Sequence, residues 1–491
     1  MHEQKSGACS QFFFLVMFEK YKSQFRRLLT RKPEEHYESQ SLLSSHSIER
    51  LEAYAEGHND AHNLVYWIFV IYGVAMLLPW NVFITASEFF AKRFAGSSYD
   101  ETFQNYFSIS FTATNLLCFA YLLRKQSESS TYRVDVLWPA LANTAVFGIT
   151  AVTVAVSMQG ATYFAFTMAL LVFTGATTSY FQVAVFAEAC RFPPRYVQAV
   201  MSGQGVAGVA VAVASILSAF AGSATEAPDE AAVTRSAFLY FMAAFVITVA
   251  ALVGRMFVVR QPFYIRQMNT DQAILSNSAL DDEEDVEEQN DDEQRYFSSS
   301  PRSELSIVAV VRKSSGLVFA VSYVFVITLM LFPSITALIK SVSRHTPQAQ
   351  GNRFFDDDVF VAFHFVLFNV GDWVGRTLPI YDSMRTFKPK LLAWFSVLRT
   401  IFVPAFLFCN VVASDRSLPV VIDNDVVYFL LIWMFAVSNG WLGSLTMMAA
   451  PQQESITSAA EKSLVGSVMS FSLVAGLAIG GGMSFFVRWM I

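Results

Sequence analysis

Eleven long runs of apolar residues govern what this chain can fold into. Each run is about 20 residues long, which is the length an α-helix needs to cross the hydrocarbon core of a bilayer. A backbone in lipid must satisfy its own hydrogen bonds, and these runs are too long for barrel strands, so they predict membrane-spanning helices. The predicted limits are 64–86, 103–123, 135–158, 162–190, 198–221, 236–259, 316–340, 358–380, 390–412, 426–449 and 463–487.

The composition agrees with a membrane-embedded body. The chain of 491 residues is 54% hydrophobic and only 15% charged, whereas a soluble domain is about 25% charged. This composition excludes a disordered scaffold, a nucleic-acid binder and a soluble enzyme, and it makes the lipid bilayer an expected partner. The net charge of −6 is local, because ten acidic residues fall within 281–293 and the rest of the chain carries +4.

The segment 260–315 divides the apolar runs into six and five. It is acidic and serine-rich, a composition typical of disorder. We therefore predict a largely disordered cytosolic tail at 1–63, helices one to six within 64–259, a disordered cytosolic linker at 260–315 and helices seven to eleven within 316–487. Two bundles that face each other are typical of a rocker-type carrier with its site near the membrane midplane.

Basic residues in the short loops predict the orientation. Loops 2–3, 4–5 and 8–9 hold most of the lysines and arginines, whereas loops 3–4, 5–6 and 9–10 hold only Arg235 and Arg416. The tail before the first span is therefore expected in the cytosol, and an odd number of spans places the other end of the chain on the far side.

The N-terminal tail also contains a candidate sorting signal, ESQSLL at 38–43. Its Glu38, Leu42 and Leu43 fit an acidic dileucine pattern, so a sorting adaptor is a candidate partner. The membrane is predicted to be either the plasma membrane or a vacuolar or lysosomal membrane.

Span eight carries charged residues that hydrocarbon makes costly. At 100° per residue one stripe of this helix contains Phe365, Asn369, Asp372 and Arg376. Asp372 and Arg376 are spaced i,i+4, so their side chains can meet. Gly371 and Gly375 lie on another face, where they permit close helix packing. Two interpretations stay open: a structural ion pair that joins two helices, or a cavity-facing pair that binds the vicinal hydroxyls of a polar solute.

Spans one and four carry polar groups with two interpretations each. Trp80 follows Pro79 and precedes Asn81, so its indole belongs either to an interfacial aromatic belt or to a pocket wall on which a planar base or a sugar stacks. Gln182 shares a face with Thr178. Its amide offers a donor and an acceptor, which suit either an interhelical hydrogen bond or the edge of a nucleobase.

Glu188 and Arg399 are the remaining ionisable residues that the sequence singles out in spans four and nine. Glu188 either pairs with Arg191 or Arg195 or takes up a proton. Arg399 is surrounded by apolar residues and needs an anion or backbone carbonyls, and structural support is the favoured role. The sequence has no catalytic or metal-binding motif, so we expect no enzymatic activity, no metal and no cofactor.

Five motifs in order resemble the equilibrative nucleoside transporter family. They are LLPWN at 77–81, FPPRYVQAVMSGQGVAG at 192–208, FNVGDWVGR at 368–376, LRTIFVPAFLFCN at 398–410 and SNG at 438–440. The resemblance implies an all-α, polytopic fold of about 11 transmembrane helices in a 6+5 two-bundle, major-facilitator-like arrangement. It also implies alternating-access transport of nucleosides, and sometimes of nucleobases, without nucleic acid as a partner.

The resemblance further implies roles for residues that match the family pattern. Trp80 would lie beside the sugar and Gln182 would contact the base. Asp372 and Arg376 would hold the ribose hydroxyls. Asn369 and Phe365 would lie on the same wall, and Leu116 would add an apolar contact. Ile84, Phe332 and Pro333 would form a thin outer gate.

Two questions stay open within this family resemblance. Some members are facilitative and others couple to protons, for which Asp372, Glu188 and Glu88 are the candidate protonation sites, and Glu461 is a candidate inner-gate acid. The alternative function is that of a carrier for another small polar organic solute on the same fold.

Overall fold

A computed structural model describes residues 60–100, 102–128, 134–156, 158–221, 230–269, 306–345, 353–412 and 419–489. Within these ranges, 11 helices are long and apolar enough to cross a membrane. The sorting signal at 38–43 and the acidic run at 281–293 lie outside the described residues.

The first six spans are α1 (Leu64–Thr85), α2 (Phe103–Glu128), α3 (Leu137–Val154), α4 (Gly160–Ala189), α5 (Pro194–Ala221) and α6 (Glu230–Val258). The other five are α7 (Ser315–Leu331), α8 (Asp357–Thr377), α9 (Pro389–Leu407), α10 (Asp425–Ala449) and α11 (Ala459–Trp489). Shorter helices occupy Ser87–Phe94, 262–269 and Ile307–Lys313.

Prolines account for two differences from the predicted limits. The seventh helix ends at Leu331 rather than near residue 340, since Pro333 has no amide proton and disfavours helical geometry in the residue before it. The fifth helix begins at Pro194, four residues earlier than predicted, because proline suits the first turn of a helix. The ninth span contains a 3-10 turn at Arg399–Ile401 and stops at Leu407.

The helices form two bundles. In the first bundle α1 packs on α5 and α6, α2 packs on α4, and α3 packs on α6. In the second bundle α7 packs on α9, α10 and α11, and α8 packs on α10. The bundles meet where α5 contacts α8 and α10, and where α11 contacts α2 and α4. The described part of the chain forms no β-sheet, only two isolated bridges. The predicted all-helical arrangement of six plus five spans is confirmed.

Glycines allow the closest helix contacts. A methyl group added to Gly375 of α8 would overlap the carbonyl oxygen of Val437 in α10, and one added to Gly440 of α10 would overlap that of Asp372. The predicted packing face of α8 is therefore present and lies against α10. This contact brings the backbone of α8 close enough for side chains of α10 to reach Asp372.

The buried apolar residues differ between the two ends of the molecule. At the end that carries the α4–α5 loop, one cluster includes Phe186 and Tyr196 of the first bundle together with Leu317 and Leu464 of the second. At the end that carries the α1–α2 connection, each bundle has its own cluster, one around Phe90 and the other in the second bundle. The bundles are therefore joined by apolar packing at the α4–α5 end.

Candidate functional site

Asp372 and Arg376 form a buried ion pair on α8. The Nε of Arg376 donates to Oδ2 of Asp372 at 2.7 Å. Asp372 is 7% exposed and Arg376 is 6% exposed. Their i,i+4 spacing places them one turn apart on the same face, so the predicted contact is present.

The guanidinium of Arg376 also reaches the first bundle. Its Nη1 donates to Oε1 of Gln204 and to the carbonyl oxygen of Met201 in α5, each at 3.1 Å. The backbone carbonyl of Arg376 in turn accepts a hydrogen bond from Nε2 of Gln198 at 3.1 Å. The ion pair therefore sits at the contact between the two bundles, toward the α4–α5 end.

The second oxygen of Asp372 is bound from within its own bundle. Nδ2 of Asn439 in α10 donates to Oδ1 of Asp372 at 2.6 Å. The Oδ1 of Asn439 lies 2.6 Å from the hydroxyl of Thr328 in α7. Each carboxylate oxygen of Asp372 thus has a donor from a different side chain, which satisfies a buried acceptor.

Arg399 extends this network at the break in α9. It is 2% exposed and donates to the carbonyl oxygen of Phe435 at 3.0 Å, to the hydroxyl of Thr328 at 2.9 Å and to Oγ of Ser438. Its guanidinium carbon also lies 4.7 Å from the ring centroid of Phe435. The structural support predicted for Arg399 is present, but the link from Arg399 to Asp372 has no signal in the sequence.

The remaining members of the α8 stripe are half-buried. Nδ2 of Asn369 donates to the carbonyl oxygen of Phe365 at 2.9 Å, so the amide is held against its own helix. A Cβ at Gly208 of α5 would lie 2.5 Å from Oδ1 of Asn369. Gly208 therefore provides the space that Asn369 occupies between the two bundles.

The first bundle contributes polar groups on α4. Gln182 is 7% exposed, and its amide forms no hydrogen bond within the described ranges. The buried hydroxyl of Thr178, one turn earlier, has no hydrogen-bond partner there either. An uncompensated buried polar group costs free energy unless something binds it. This face of α4 therefore has unmet hydrogen-bonding capacity.

Trp80 and Leu116 are half-buried on α1 and α2. The indole of Trp80 stacks on the ring of Phe111, with 4.9 Å between centroids and 27° between planes. One face of the indole is thus covered by α2, so Trp80 is held by aromatic packing inside the first bundle.

The three predicted gate residues lie at the α1–α2 end. Ile84 is 51% exposed and Pro333 is also exposed. The ring of Phe332 stacks on that of Phe368, with 3.8 Å between centroids, and lies 4.8 Å from that of Phe365. Phe332 therefore packs on α8, beside the stripe that carries Asp372.

Glu188 is paired, but with neither of the bases that its sequence neighbourhood suggests. Nη1 of Arg255 in α6 lies 3.0 Å from its Oε2, and the hydroxyl of Tyr264 donates to the same oxygen at 2.8 Å. Burial raises the pKa of Tyr264, so its hydroxyl remains a donor at neutral pH. Arg195 instead lies 3.5 Å from Asp60. Pairing with Arg191 or Arg195, one of the two interpretations from the sequence, is wrong; the partner is Arg255, which is a neighbour only in the folded chain.

The other two candidate acids lie apart from Asp372 in the chain. Glu461 pairs with Lys313 and accepts the backbone N–H of Thr457 at 3.1 Å, while Oγ of Ser458 accepts the N–H of Glu461 at 3.1 Å. These bonds form a cap at the start of α11.

Glu88 is exposed on the helix Ser87–Phe94. The described residues contain no group of three or more His, Cys, Asp or Glu side chains that could hold a metal.

Comparison with known proteins identifies the family. A family model described as nucleoside transporter matches residues 168–489. Equilibrative nucleoside transporter 2 of Homo sapiens is 29% identical over 475 residues, which cover 89% of this chain and 100% of that protein. Equilibrative nucleoside transporter 1 of Homo sapiens is 28% identical over 467 residues, which cover 88% and 98%.

Solved structures include a weaker likeness. FucP, a major facilitator superfamily transporter crystallised in the outward conformation, matches with a TM-score of 0.42 and 14% identity over 89% of this chain and 99% of that chain. The family model, by contrast, spans well over half of the sequence and the curated relatives match over nearly their whole length. This protein belongs to the nucleoside transporter family.

Proposed function

We propose that the protein carries nucleosides, with nucleobases as a second class, across a membrane by alternating access. The observation that carries this proposal is the buried Asp372–Arg376 pair, in which one guanidinium nitrogen has no hydrogen-bond partner among the described residues. Nε and Nη1 of Arg376 are engaged, whereas Nη2 has no hydrogen-bond partner among the described residues. A guanidinium nitrogen without a partner, on a side chain that is otherwise buried, suits a solute that supplies the missing acceptor.

The chemistry of the surrounding groups favours a nucleoside. The carboxylate of Asp372 can only accept, and the guanidinium of Arg376 can only donate, so together they suit the vicinal hydroxyls of a ribose. The unbonded amide of Gln182 offers both functions to the edge of a base. Trp80, Leu116, Phe365 and Asn369 would complete the walls with apolar and amide contacts.

The proposed cycle exchanges access between the two ends. The apolar cluster shared by both bundles joins them at the α4–α5 end, while at the other end each bundle has its own apolar cluster. Ile84, Phe332 and Pro333 are the proposed outer gate at that end. The basic residues of loops 2–3, 4–5 and 8–9 favour the cytosol for the α4–α5 end.

Proton coupling is a separate part of the proposal, in which transport is either facilitative or proton-linked. Asp372 is the candidate protonation site that a solute would touch. Glu188 is bonded within the first bundle and Glu88 is exposed, so both are weaker candidates. A sorting adaptor that reads Glu38, Leu42 and Leu43 would direct the protein to a vacuolar or lysosomal membrane, and without it the plasma membrane is expected.

Reconstitution tests the proposed function. The purified protein is placed in liposomes, and uptake of labelled uridine is measured with and without a pH gradient, in competition with adenosine, uracil and glucose. Saturable uptake that adenosine inhibits supports a nucleoside carrier. Stronger inhibition by glucose than by adenosine would favour the alternative, a carrier for another small polar organic solute. Uptake no greater than that of protein-free liposomes would exclude a carrier.

A further inference from the structure

A chain of four buried side chains links Arg399 to the carboxylate of Asp372. Arg399 of α9 contacts Thr328 of α7 at 2.9 Å, Thr328 contacts Asn439 of α10 at 2.6 Å, and Asn439 contacts Asp372 of α8 at 2.6 Å. Arg399, Thr328 and Asn439 are between 2% and 4% exposed. The chain therefore joins four helices of the second bundle away from solvent.

The hydrogen bonds in this chain can all be donated in the direction of Asp372. The guanidinium of Arg399 can only donate, so Thr328 accepts from it and keeps its own proton for an acceptor. Asp372 can only accept, so Asn439 turns its Nδ2 toward the carboxylate and its Oδ1 toward Thr328. The hydroxyl of Thr328 lies 2.6 Å from that Oδ1 and 2.7 Å from the carbonyl of Val324. Asp372 thereby sets which way the amide of Asn439 faces, and Thr328, which accepts from Arg399, contacts the oxygen end of that amide.

The result is a carboxylate held from two sides. Arg376 binds Oδ2 of Asp372 and Asn439 binds Oδ1, so rotation of the carboxylate would break one bond or the other. Bonds aligned in this way polarise one another in a medium of low dielectric constant. A carboxylate fixed in this orientation presents its remaining lone pairs in a constant direction.

We propose that Asn439, Thr328 and Arg399 are positioning residues that orient Asp372 to accept a hydroxyl of the bound solute. This inference rests on the proposed function, because it concerns how the same site recognises a ribose. None of the three touches the solute in this arrangement. Their effect is specific to solutes that carry the vicinal ribose hydroxyls, since these are the groups that donate to Asp372 in the proposed site.

Substitutions at Thr328 separate positioning from structural support. Thr328→Val keeps the shape of the side chain and removes the hydroxyl, whereas Thr328→Ser keeps the hydroxyl. The concentrations of uridine and of 2′,3′-dideoxyuridine that half-inhibit uptake of labelled adenosine are measured for each variant in proteoliposomes. In Thr328→Val we expect the value for uridine to rise about tenfold, as for the loss of one buried hydrogen bond. The value for the dideoxy compound should change less than twofold, and Thr328→Ser should resemble the wild type.

Other outcomes would overturn the inference. Equal changes for uridine and dideoxyuridine, or no change for either, would mean that the chain only supports the fold. If Thr328→Val fails to fold, Asn439→Ala removes the donor itself and the same comparison applies. A wild type that takes up neither adenosine nor uridine would instead refute the proposed function, so the two failures are distinguishable.

Discussion

Nη1 of Arg376 lies 3.1 Å from Oε1 of Gln204, so one guanidinium joins α8 of the second bundle to α5 of the first. The same guanidinium binds Asp372 through Nε. The proposed solute site and the contact between the bundles therefore share a residue. A solute that binds Arg376 acts directly on the bonds that hold the α4–α5 end together.

Removing the shared guanidinium tests its role in uptake. Arg376→Ala deletes the donors for the solute and leaves the buried Asp372 without its charged partner. Removing one partner of a buried ion pair typically lowers the free energy of unfolding by about 3–5 kcal/mol. We expect uridine uptake per molecule at the membrane to fall at least about 100-fold. Arg260→Ala is the control, since Arg260 is exposed. Uptake in Arg376→Ala within threefold of the wild type would place the solute elsewhere.

The unbonded amide of Gln182 leads to a prediction that separates binding from stability. Gln182→Met should raise the KM for uridine about tenfold, because the contact with the base is lost, yet leave the thermal unfolding temperature of the empty protein unchanged. Asn115 provides the comparison, since it is 4% exposed and its Nδ2 donates to the carbonyl of Gly175 at 3.3 Å. Asn115→Leu should lower the unfolding temperature. A similar loss of stability in Gln182→Met would show that Gln182 has a structural role.

Close packing of α8 on α10 makes Gly375 intolerant of substitution. Gly375→Ala would place a methyl group on the carbonyl oxygen of Val437, and the helices would have to separate. We expect little folded protein at the membrane. At Gly481 of α11 an added Cβ meets nothing within 4 Å, so Gly481→Ala should be neutral or stabilising by up to about 1 kcal/mol. The abundance of each variant at the membrane and its thermal unfolding temperature are measured. Equal abundance and equal unfolding temperatures for Gly375→Ala and Gly481→Ala would contradict the packing of α8 on α10.

Glu188→Gln tests whether the ion pair with Arg255 is structural. The substitution leaves a half-buried guanidinium with Asp135 at 3.2 Å as its remaining carboxylate partner, so the free energy of unfolding should fall by about 1–3 kcal/mol. The pH dependence of uptake should match that of the wild type, because Glu188 is bonded within the first bundle. The exposed Glu88 supplies the control, and Glu88→Gln should leave stability unchanged. A pH profile altered only in Glu188→Gln would restore Glu188 as a protonation site.

Local spacing in the sequence predicted the parts of the site that lie on one helix. The contact between Asp372 and Arg376, and the glycine face of α8, follow from helical periodicity alone. The end of α7 was predicted too late, although Pro333 signals a stop. Bonds between helices were not predicted: Gln204 lies 172 residues from Arg376, and Asn439 lies 67 residues from Asp372. Periodicity shows which residues share a face, but not which helix that face meets.

The bonds from Arg376 to α5 affect the empty and the loaded protein differently. To open the α4–α5 end, an empty protein must separate this guanidinium from Gln204 and from the carbonyl of Met201 with nothing to replace them. At the proposed site a bound nucleoside would offer hydroxyl oxygens in their place. We therefore expect the return of the unloaded protein to be the slow step of the proposed cycle, and exchange of one nucleoside for another across the membrane to run faster than net flux into a nucleoside-free solution.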